Sequence, residues 1–182
     1  MRIISGKNKG RRILAPKNLP VRPTTDMAKE SLFNILNNHV YFEEIDVLDL
    51  FAGTGNISYE FASRGANIIH SVDDNRHCTN FIERTAQSLN YTNIHSIQSD
   101  YKYFIRHAHI QWDLIFADPP YAMREIFQGL PNLIFEHQLL KENGFFILEH
   151  PEIYSYEDHP NFREHRNYGR VHFTFFENRE VK

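Results

Sequence analysis

Cysteine is nearly absent from this sequence, since Cys78 is the one thiol among 182 residues. A single cysteine excludes an internal disulfide and a zinc site built from several thiolates, and it is typical of a reducing compartment. Long apolar runs are also missing, because none approaches the roughly 18 residues that a membrane-spanning helix needs. The basic first residues, soon interrupted by Gly6 and Lys7, do not form a secretory signal. We therefore expect a cytoplasmic protein with one globular domain.

Metal-ligand spacing is absent as well, since the eleven histidines contain no pattern such as HExxH. Charge, by contrast, is plentiful and unevenly placed. The chain carries −3 overall, but residues 1–40 hold eight basic and two acidic side chains, which leaves −9 on the remainder. A basic arm over residues 1–25 favours a nucleic-acid partner, with a solvated surface as the alternative. The candidate binding residues of this arm are Lys7, Lys9, Arg11 and Arg12.

After the arm, apolar side chains recur at helical spacing over residues 26–38, and short apolar runs then alternate with further helical patterns. Alternation of this kind predicts an α/β fold with a doubly wound, mostly parallel sheet between two helical layers. The tail, residues 162–176, is predicted to add an antiparallel hairpin, so the domain over residues 26–182 has seven strands. The other predicted strands are 47–51, 67–73, 93–98, 112–117 and 145–149, and the last predicted helical segments surround Ile126, Leu133 and Leu139.

A glycine-containing turn follows the first predicted strand, in the segment Asp49-Leu50-Phe51-Ala52-Gly53-Thr54-Gly55. Glycines there let the backbone approach a ligand closely, although many strand-to-helix turns need glycine only to turn. The segment lacks the third glycine of a dinucleotide fingerprint and the Gly-Lys-Ser/Thr of a phosphate loop. The turn therefore favours a ligand that is bound through groups other than a pyrophosphate.

Acidic residues end the next two predicted strands. Asp73 can accept hydrogen bonds from both hydroxyls of a ribose, or it can cap the helix that starts near Asn75. Asp100 lies where an adenine edge would lie, although an N-cap role alone is the commoner reason for an aspartate there. For both aspartates the sequence leaves ligand binding and helix capping open.

The most specific motif is Asp118-Pro119-Pro120-Tyr121, directly after the apolar strand 112–117. Two prolines cannot continue a central strand, so they make a stiff turn at the carboxyl edge of the sheet. That turn presents a carboxylate, the Pro119 carbonyl and an aromatic ring to one place. The set suits an amino group on a planar ring, and we assign the catalytic role to these four residues.

Together these motifs resemble class I methyltransferases that use S-adenosylmethionine and act on exocyclic amines. The N-terminal segments Arg2-Ile3-Ile4-Ser5-Gly6, Arg22-Pro23-Thr24-Thr25-Asp26 and Lys29-Glu30-Ser31-Leu32-Phe33 are similar to those of the RsmD-type family. The resemblance covers nearly the whole chain and implies a Rossmann-like methyltransferase fold. It also implies methylation of guanine N2 in 16S ribosomal RNA, with the small ribosomal subunit particle as partner and a monomeric enzyme.

The resemblance further implies a set of cofactor-binding residues. The glycine turn would lie near the methionine part, Asp73 would bind the ribose and Asp100 the adenine. The family commonly has glutamate at the position of Asp73, so the shorter side chain leaves the neighbouring Asp74 as an alternative ligand. Tyr101 replaces a small residue. The full set is Arg22, Thr24, Asp49, Phe51, Ala52, Gly53, Thr54, Gly55, Asp73, Asp74, Asp100, Tyr101 and Asp118.

Two other functions are compatible with these residues. Adenine-N6 methyltransferases carry the same Asp-Pro-Pro-Tyr motif, but they often have an extra recognition domain for which 182 residues leave no room. A non-catalytic RNA-binding protein with a relic cofactor site is the second alternative. The intact glycine turn and the intact Asp-Pro-Pro-Tyr motif argue against it.

Overall fold

The computed structural model of the protein describes residues 1–16 and 25–179. In this part of the chain five helices alternate with strands before a final antiparallel pair. The helices are α1 (Asp26–Leu36), α2 (Asn56–Ser63), α3 (Arg76–Ser88), α4 (Tyr101–His107) and α5 (Arg124–Glu136). The strands are β1 (Asp46–Leu50), β2 (Ile68–Asp73), β3 (Ile94–Gln98), β4 (Trp112–Ala117), β5 (Leu140–His150), β6 (Phe162–Tyr168) and β7 (Val171–Glu177). None of these helices is both long and apolar enough to cross a bilayer.

The seven strands form one sheet in the order β3-β2-β1-β4-β5-β7-β6. Strands β1 to β5 are parallel, whereas β7 pairs antiparallel with both β5 and β6. The strand order reverses between β1 and β4, and in sheets of this kind ligands bind at the carboxyl ends beside such a reversal. The predicted doubly wound sheet with a closing hairpin is confirmed.

The sheet is covered on both faces, because its central strands are apolar on both sides. Val47 of β1 belongs to the core beneath α1, α2 and α3, and Leu48 belongs to the core beneath α4 and α5. Phe173 of β7 extends the first core and Phe176 extends the second. The three-layer sandwich therefore follows from strands that have no polar face to turn toward water.

Two predicted boundaries near β5 are wrong. No helix surrounds Leu139, because α5 ends at Glu136 and Gln138 takes a positive φ of 52°. The fifth strand is longer than predicted, since it begins at Leu140 and passes through Gly144. A Cβ on Gly144 would lie 2.9 Å from the Lys141 oxygen and 3.0 Å from the Asp113 oxygen. This glycine permits a close backbone approach within the sheet and does not mark a boundary.

Residues 1–16 form a short two-stranded arm that packs on the helices. Arg2 and Arg12 form an antiparallel bridge, and the amide of Ile3 donates to the Arg11 carbonyl at 3.0 Å. Ile3 and Ile13 are buried in the same core as α1 and α2. The arm is therefore fastened to the α1–α3 layer by apolar side chains as well as by its backbone.

A buried carboxylate, Glu60 of α2, holds the arm in place. Its two oxygens accept hydrogen bonds from the amides of Ile4 and Ser5 at 2.8 and 3.1 Å, and from Arg64 Nε at 2.9 Å. Lys29 Nζ lies 3.6 Å from the same carboxylate. Both side chains of this ion pair are buried, so the Lys29 charge depends on Glu60 for compensation, while Glu60 is also paired with Arg64.

Lys29 extends the network to the glycine turn. Its Nζ donates to the Arg2 carbonyl at 2.6 Å and to Asn56 Oδ1 at 2.8 Å, and Asn56 is the first residue of α2. Burial lowers the pKa of Lys29, while the nearby Glu60 carboxylate opposes that effect. One ammonium group therefore links α1, the arm and the helix that follows the glycine turn.

We expect Glu60→Ala to destabilise the protein strongly, because it leaves the buried Lys29 charge without its carboxylate and removes the acceptors of two arm amides. Loss of one member of a buried ion pair costs about 3–5 kcal/mol. Urea denaturation measures this change, and hydrogen exchange should show faster exchange at Ile4 and Ser5. The control is Glu30→Ala on the exposed side of α1, and equal stability of the two variants would contradict the role of Glu60.

Candidate active site

The turn after β1 has the backbone geometry that its glycines allow. Gly53 and Gly55 take φ values of 54° and 80°, and Phe51 takes 67°, a left-handed conformation that is unusual for a side chain of this size. A Cβ on Gly55 would lie 2.7 Å from the Tyr59 ring. Gly55 is therefore required by both its φ and its packing, and the turn leads directly into α2.

Asp49 lies buried beneath this turn at the end of β1. Its Oδ2 accepts hydrogen bonds from the Ser58 amide at 3.1 Å and from the Ser58 hydroxyl at 2.5 Å. The Ser58 hydroxyl also lies 2.7 Å from that of Ser71. Burial raises the pKa of Asp49 to about 7, although the Ser58 hydrogen bonds oppose the rise. A cationic ligand group at this site would favour the charged form of the carboxylate.

Asp73 connects the end of β2 to the glycine turn. Its Oδ2 accepts from the Gly53 amide at 2.8 Å, and its Oδ1 accepts from the Asn75 amide at 2.9 Å. Burial raises the pKa of Asp73, and these two amide hydrogen bonds act in the opposite direction. The N-cap of α3 is Asn75, which accepts from the His77 amide, so the alternative of Asp73 as that cap is wrong. The neighbouring Asp74 is exposed.

Asp100 caps α4 and stands beside a pair of aromatic rings. Its Oδ1 accepts from the Tyr103 amide at 3.0 Å, which confirms the N-cap interpretation. The next residue, Tyr101, is buried, and its ring centroid lies 5.0 Å from that of Phe51. The carboxylate at the end of β3 is thus adjacent to an apolar aromatic wall. We did not predict this ring pair, because only the fold brings residues 51 and 101 together.

The Asp-Pro-Pro-Tyr segment follows β4 as a turn. Asp118 is half-buried and Pro119 is buried. The Met123 amide donates to the Pro120 carbonyl at 2.9 Å and closes the turn. The Tyr121 side chain is 45% exposed, and its ring stands edge-on to the buried Phe127 ring at 6.0 Å. The carboxylate and the partly exposed ring therefore lie on one stiff segment.

A further carboxylate, Glu149, lies next to this turn. The parallel register pairs Ala117 with Leu148, so the residues that follow on the two strands are Asp118 and Glu149. Glu149 is 5% exposed, which is uncommon for a glutamate. We did not predict this residue as part of the site. The signal for it in the sequence was an acid at the end of an apolar strand, followed within two residues by Pro151.

The four carboxylates that the sequence predicted lie near the carboxyl ends of four adjacent strands. They belong to the strands β3, β2, β1 and β4, in that spatial order. Because neighbouring strands lie about 4.8 Å apart, the row is about 14 Å long. The residues are Asp100, Asp73, Asp49 and Asp118. Two other predicted cofactor residues, Arg22 and Thr24, lie outside the described residues.

The chemistry of these residues fits S-adenosylmethionine. The half-buried Asp73 suits a diol, and the ring pair of Phe51 and Tyr101 suits the flat face of a purine. The buried Asp49 suits a cationic amino-acid end. In residues 1–16 and 25–179 we find no cluster of three or more histidine, cysteine or acidic side chains arranged to hold a metal ion.

The basic residues of the arm are spread along α2 and do not form one cluster. Lys7 and Lys9 are exposed, but the Lys7 amide donates to the Ser63 carbonyl at 2.7 Å, at the last residue of α2. That helix has eight residues, so its two ends are about 12 Å apart at 1.5 Å per residue. Arg11 and Arg12 are exposed on the returning part of the arm. The positive charge therefore extends along the α1–α3 layer, from the end of α2 back toward its start, where Arg12 pairs with Arg2 and Lys29 joins the Arg2 carbonyl to Asn56.

Comparisons with known proteins identify the family of this chain. The family model described as "Conserved hypothetical protein 95" matches residues 1–177. Ribosomal RNA small subunit methyltransferase D of Buchnera aphidicola subsp. Acyrthosiphon pisum (strain APS) is 32% identical over 149 residues, which cover 81% of this chain and 76% of that protein. A hypothetical protein from Thermus thermophilus is similar in structure with a TM-score of 0.84 and 25% identity, over 97% of this chain and 99% of that one.

A more distant structure shares the fold. It is the T. thermophilus 16S rRNA N2 methyltransferase RsmC, solved in complex with AdoMet and guanosine. Its TM-score is 0.70 at 19% identity, over 88% of this chain and 45% of that one. On the match of the family model to nearly its whole length, the chain belongs to the RsmD-type methyltransferase family.

Proposed function

We propose that this protein methylates the exocyclic N2 amine of a guanine in 16S ribosomal RNA, in an assembling small ribosomal subunit, with S-adenosylmethionine as the methyl donor. The proposal depends mainly on one observation, the stiff Asp118–Tyr121 turn after β4. This strand is the neighbour of β1, which the glycine turn follows. The name of the Buchnera relative supports a small-subunit ribosomal RNA substrate. The geometry supports an amine acceptor on a planar base.

The cofactor supplies a methyl group that is already strongly electrophilic, so the chain's own residues need only hold and orient the two reactants. Asp73 would accept hydrogen bonds from the ribose hydroxyls while it keeps the Gly53 amide in place. Asp49 would face the methionine part, and Asp100 would lie near the adenine amino group. The same residues therefore shape the glycine turn and hold the ligand.

Asp118 and the Pro119 carbonyl would act on the amine. The lone pair of guanine N2 is delocalised into the ring, which makes this nitrogen a poor nucleophile. Hydrogen bonds from N2–H to the carboxylate and to the carbonyl would favour a pyramidal nitrogen and localise the lone pair. After transfer, Asp118 or a water molecule would take the proton that the nitrogen releases.

Tyr121 would support the target base once it has left its stack. Its edge-on contact with Phe127 fixes the ring while 45% of the side chain stays exposed. Extruding a base costs a few kcal/mol, and stacking on an aromatic ring offsets part of this. The turn thus provides both a polar and an aromatic contact for one flat ring.

We expect the wild-type protein to form N2-methylguanosine in small-subunit particles from a strain that lacks it, and Asp118→Asn to form almost none. The amide cannot take the proton and accepts more weakly than a carboxylate, so the chemical step should slow far more than cofactor binding weakens. Mass spectrometry of digested ribosomal RNA measures the product, and calorimetry measures cofactor affinity.

The matched control is Asp158→Asn in an exposed loop, which should leave turnover unchanged. N6-methyladenosine as the product would replace the guanine proposal with the adenine alternative. If wild type binds no cofactor and forms no methylated nucleoside, the protein is the non-catalytic RNA-binding protein of the second alternative. Near wild-type turnover by the Asn variant would remove Asp118 from the mechanism.

We expect Asp73→Ala to weaken cofactor binding about 10- to 150-fold, the range for loss of hydrogen bonds to a charged group. The substitution removes the ribose acceptor and also releases the Gly53 amide. The control is Asp74→Ala, because that neighbouring carboxylate is exposed. Calorimetry measures both variants, and a reversed order of affinities would assign the ribose to Asp74.

We expect the combined variant Lys7→Gln, Lys9→Gln, Arg11→Gln and Arg12→Gln to bind ribosomal particles less tightly at unchanged cofactor affinity. Each lost phosphate contact should flatten the dependence of log affinity on log salt by about 0.7–0.9. Particle binding at several salt concentrations measures this slope. Identical slopes for variant and wild type would show that the arm is a solvated surface.

A further inference from the structure

The exposed face of α4 carries an aromatic pair that no packing requirement explains. The Tyr103 side chain is 62% exposed, and its ring is stacked on that of His107 with centroids 4.1 Å apart and planes 23° apart. His107 Nδ1 lies 2.8 Å from the Tyr103 carbonyl oxygen. Because a carbonyl can only accept, Nδ1 donates and the imidazole ring is fixed. The two rings form an ordered aromatic surface that faces water.

Positive charge accompanies these rings. Lys102 and Arg106 are exposed and stand one helical turn apart on the same helix. The sequence contains no acidic residue from 101 to 112, although residues 41–182 carry −9 overall. This short helix is therefore a basic island on an acidic body. Its charge is complementary to a polyanion.

The fold joins α4 to the active site through the buried side of this helix. Tyr101, in the first turn of α4, packs on Phe51 of the glycine turn, and Asp100 caps the N-terminus of α4. Tyr101 and Ile105 of α4 share a core with Phe127 of α5, the residue that supports Tyr121. The aromatic pair thus lies on the same layer as the catalytic turn, and the basic arm lies on the opposite layer.

We propose that the exposed face of α4 binds a single-stranded segment of the substrate RNA beside the target base. One base of the RNA stacks on the surface formed by Tyr103 and His107, while Lys102 and Arg106 contact the flanking phosphates. Aromatic rings between cations are the usual means of holding single-stranded RNA without reading its sequence. The proposal rests on the proposed function, because it deepens the description of how the same substrate is held.

RNA fits this surface better than a ribosomal protein does. A ring pair beside a column of two cations matches the bases and phosphates of a single strand, whereas a protein partner would call for a wider apolar patch. The arm on the opposite layer and α4 on this layer would then contact the RNA on both sides of the carboxyl edge. The target base would enter between the two contacts.

The test is the affinity for a short, fluorescently labelled oligoadenylate, measured by anisotropy with the variants Tyr103→Ala and Tyr103→Phe. We expect the alanine variant to bind about 5- to 150-fold more weakly, the range for loss of one stacked base, and the phenylalanine variant to bind as wild type does. The control is Tyr41→Ala, which removes a 78% exposed tyrosine just before β1, at the amino edge of the sheet.

A second pair of variants tests the charges. Lys102→Gln combined with Arg106→Gln should reduce the slope of log affinity against log salt by about 1.4–1.8, the value for two phosphate contacts on a single strand or duplex. Arg84→Gln, an exposed position on α3 in the opposite layer, should leave the slope unchanged. All of these side chains are exposed, so none of the substitutions should affect folding.

The outcomes separate this proposal from the proposed function. If wild type methylates particles but Tyr103→Ala equals wild type in both methylation and oligoadenylate binding, the RNA surface on α4 is wrong and the enzymatic function stands. If the variants lose oligoadenylate binding as expected while wild type methylates nothing, the surface stands and the enzymatic function fails. The RNA contact would be overturned if wild type did not bind oligoadenylate. It would also be overturned if Tyr103→Ala lost affinity only for intact particles, and that result would indicate a ribosomal protein as the partner of this surface.

Discussion

The parallel alignment of β1 to β4 is the constraint on which the candidate site depends. Parallel strands connected by right-handed crossovers bring their carboxyl ends to a single edge, whatever lies between them in sequence. Asp49, Asp73, Asp100 and Asp118 are spread over 70 positions of the chain, yet each lies within two residues of the end of one of four adjacent strands. A shift of one of these strands by a single residue would turn its carboxylate to the other face of the sheet.

The carboxylates differ in what the protein does with them. Asp73 holds the Gly53 amide and Asp100 holds the Tyr103 amide, so both stabilise the backbone that surrounds the ligand. Asp49 is buried, and its Oδ2 accepts hydrogen bonds from Ser58. Burial raises the pKa of Asp49 to about 7. A ligand that carries positive charge would therefore lie beside carboxylates that differ in solvent exposure and in pKa.

Much of this arrangement could be predicted from the sequence, because strand ends, glycine turns and the double proline have local signatures. The order of the elements and the positions of the four aspartates needed no knowledge of contacts. The pairing of Phe51 with Tyr101 could not be predicted, since it joins side chains 50 positions apart. The start of the fifth strand, predicted at residue 145, was wrong for a related reason, because Gly144 lies inside the strand and approaches the Asp113 backbone of another strand. Local chemistry predicts turns and caps, whereas contacts between distant segments depend on the assembled sheet.

The position of β7 has a consequence for the order of synthesis. The last strand in the sequence is not the last strand in the sheet, since β7 lies between β5 and β6. Until residues 171–177 leave the ribosome, β5 has an open edge and the apolar sites later filled by Phe173 and Phe176 remain uncovered. The nascent chain therefore cannot complete its sheet one strand at a time from the N-terminus. It remains exposed to edge-to-edge association until β7 has been synthesised and has paired with β5.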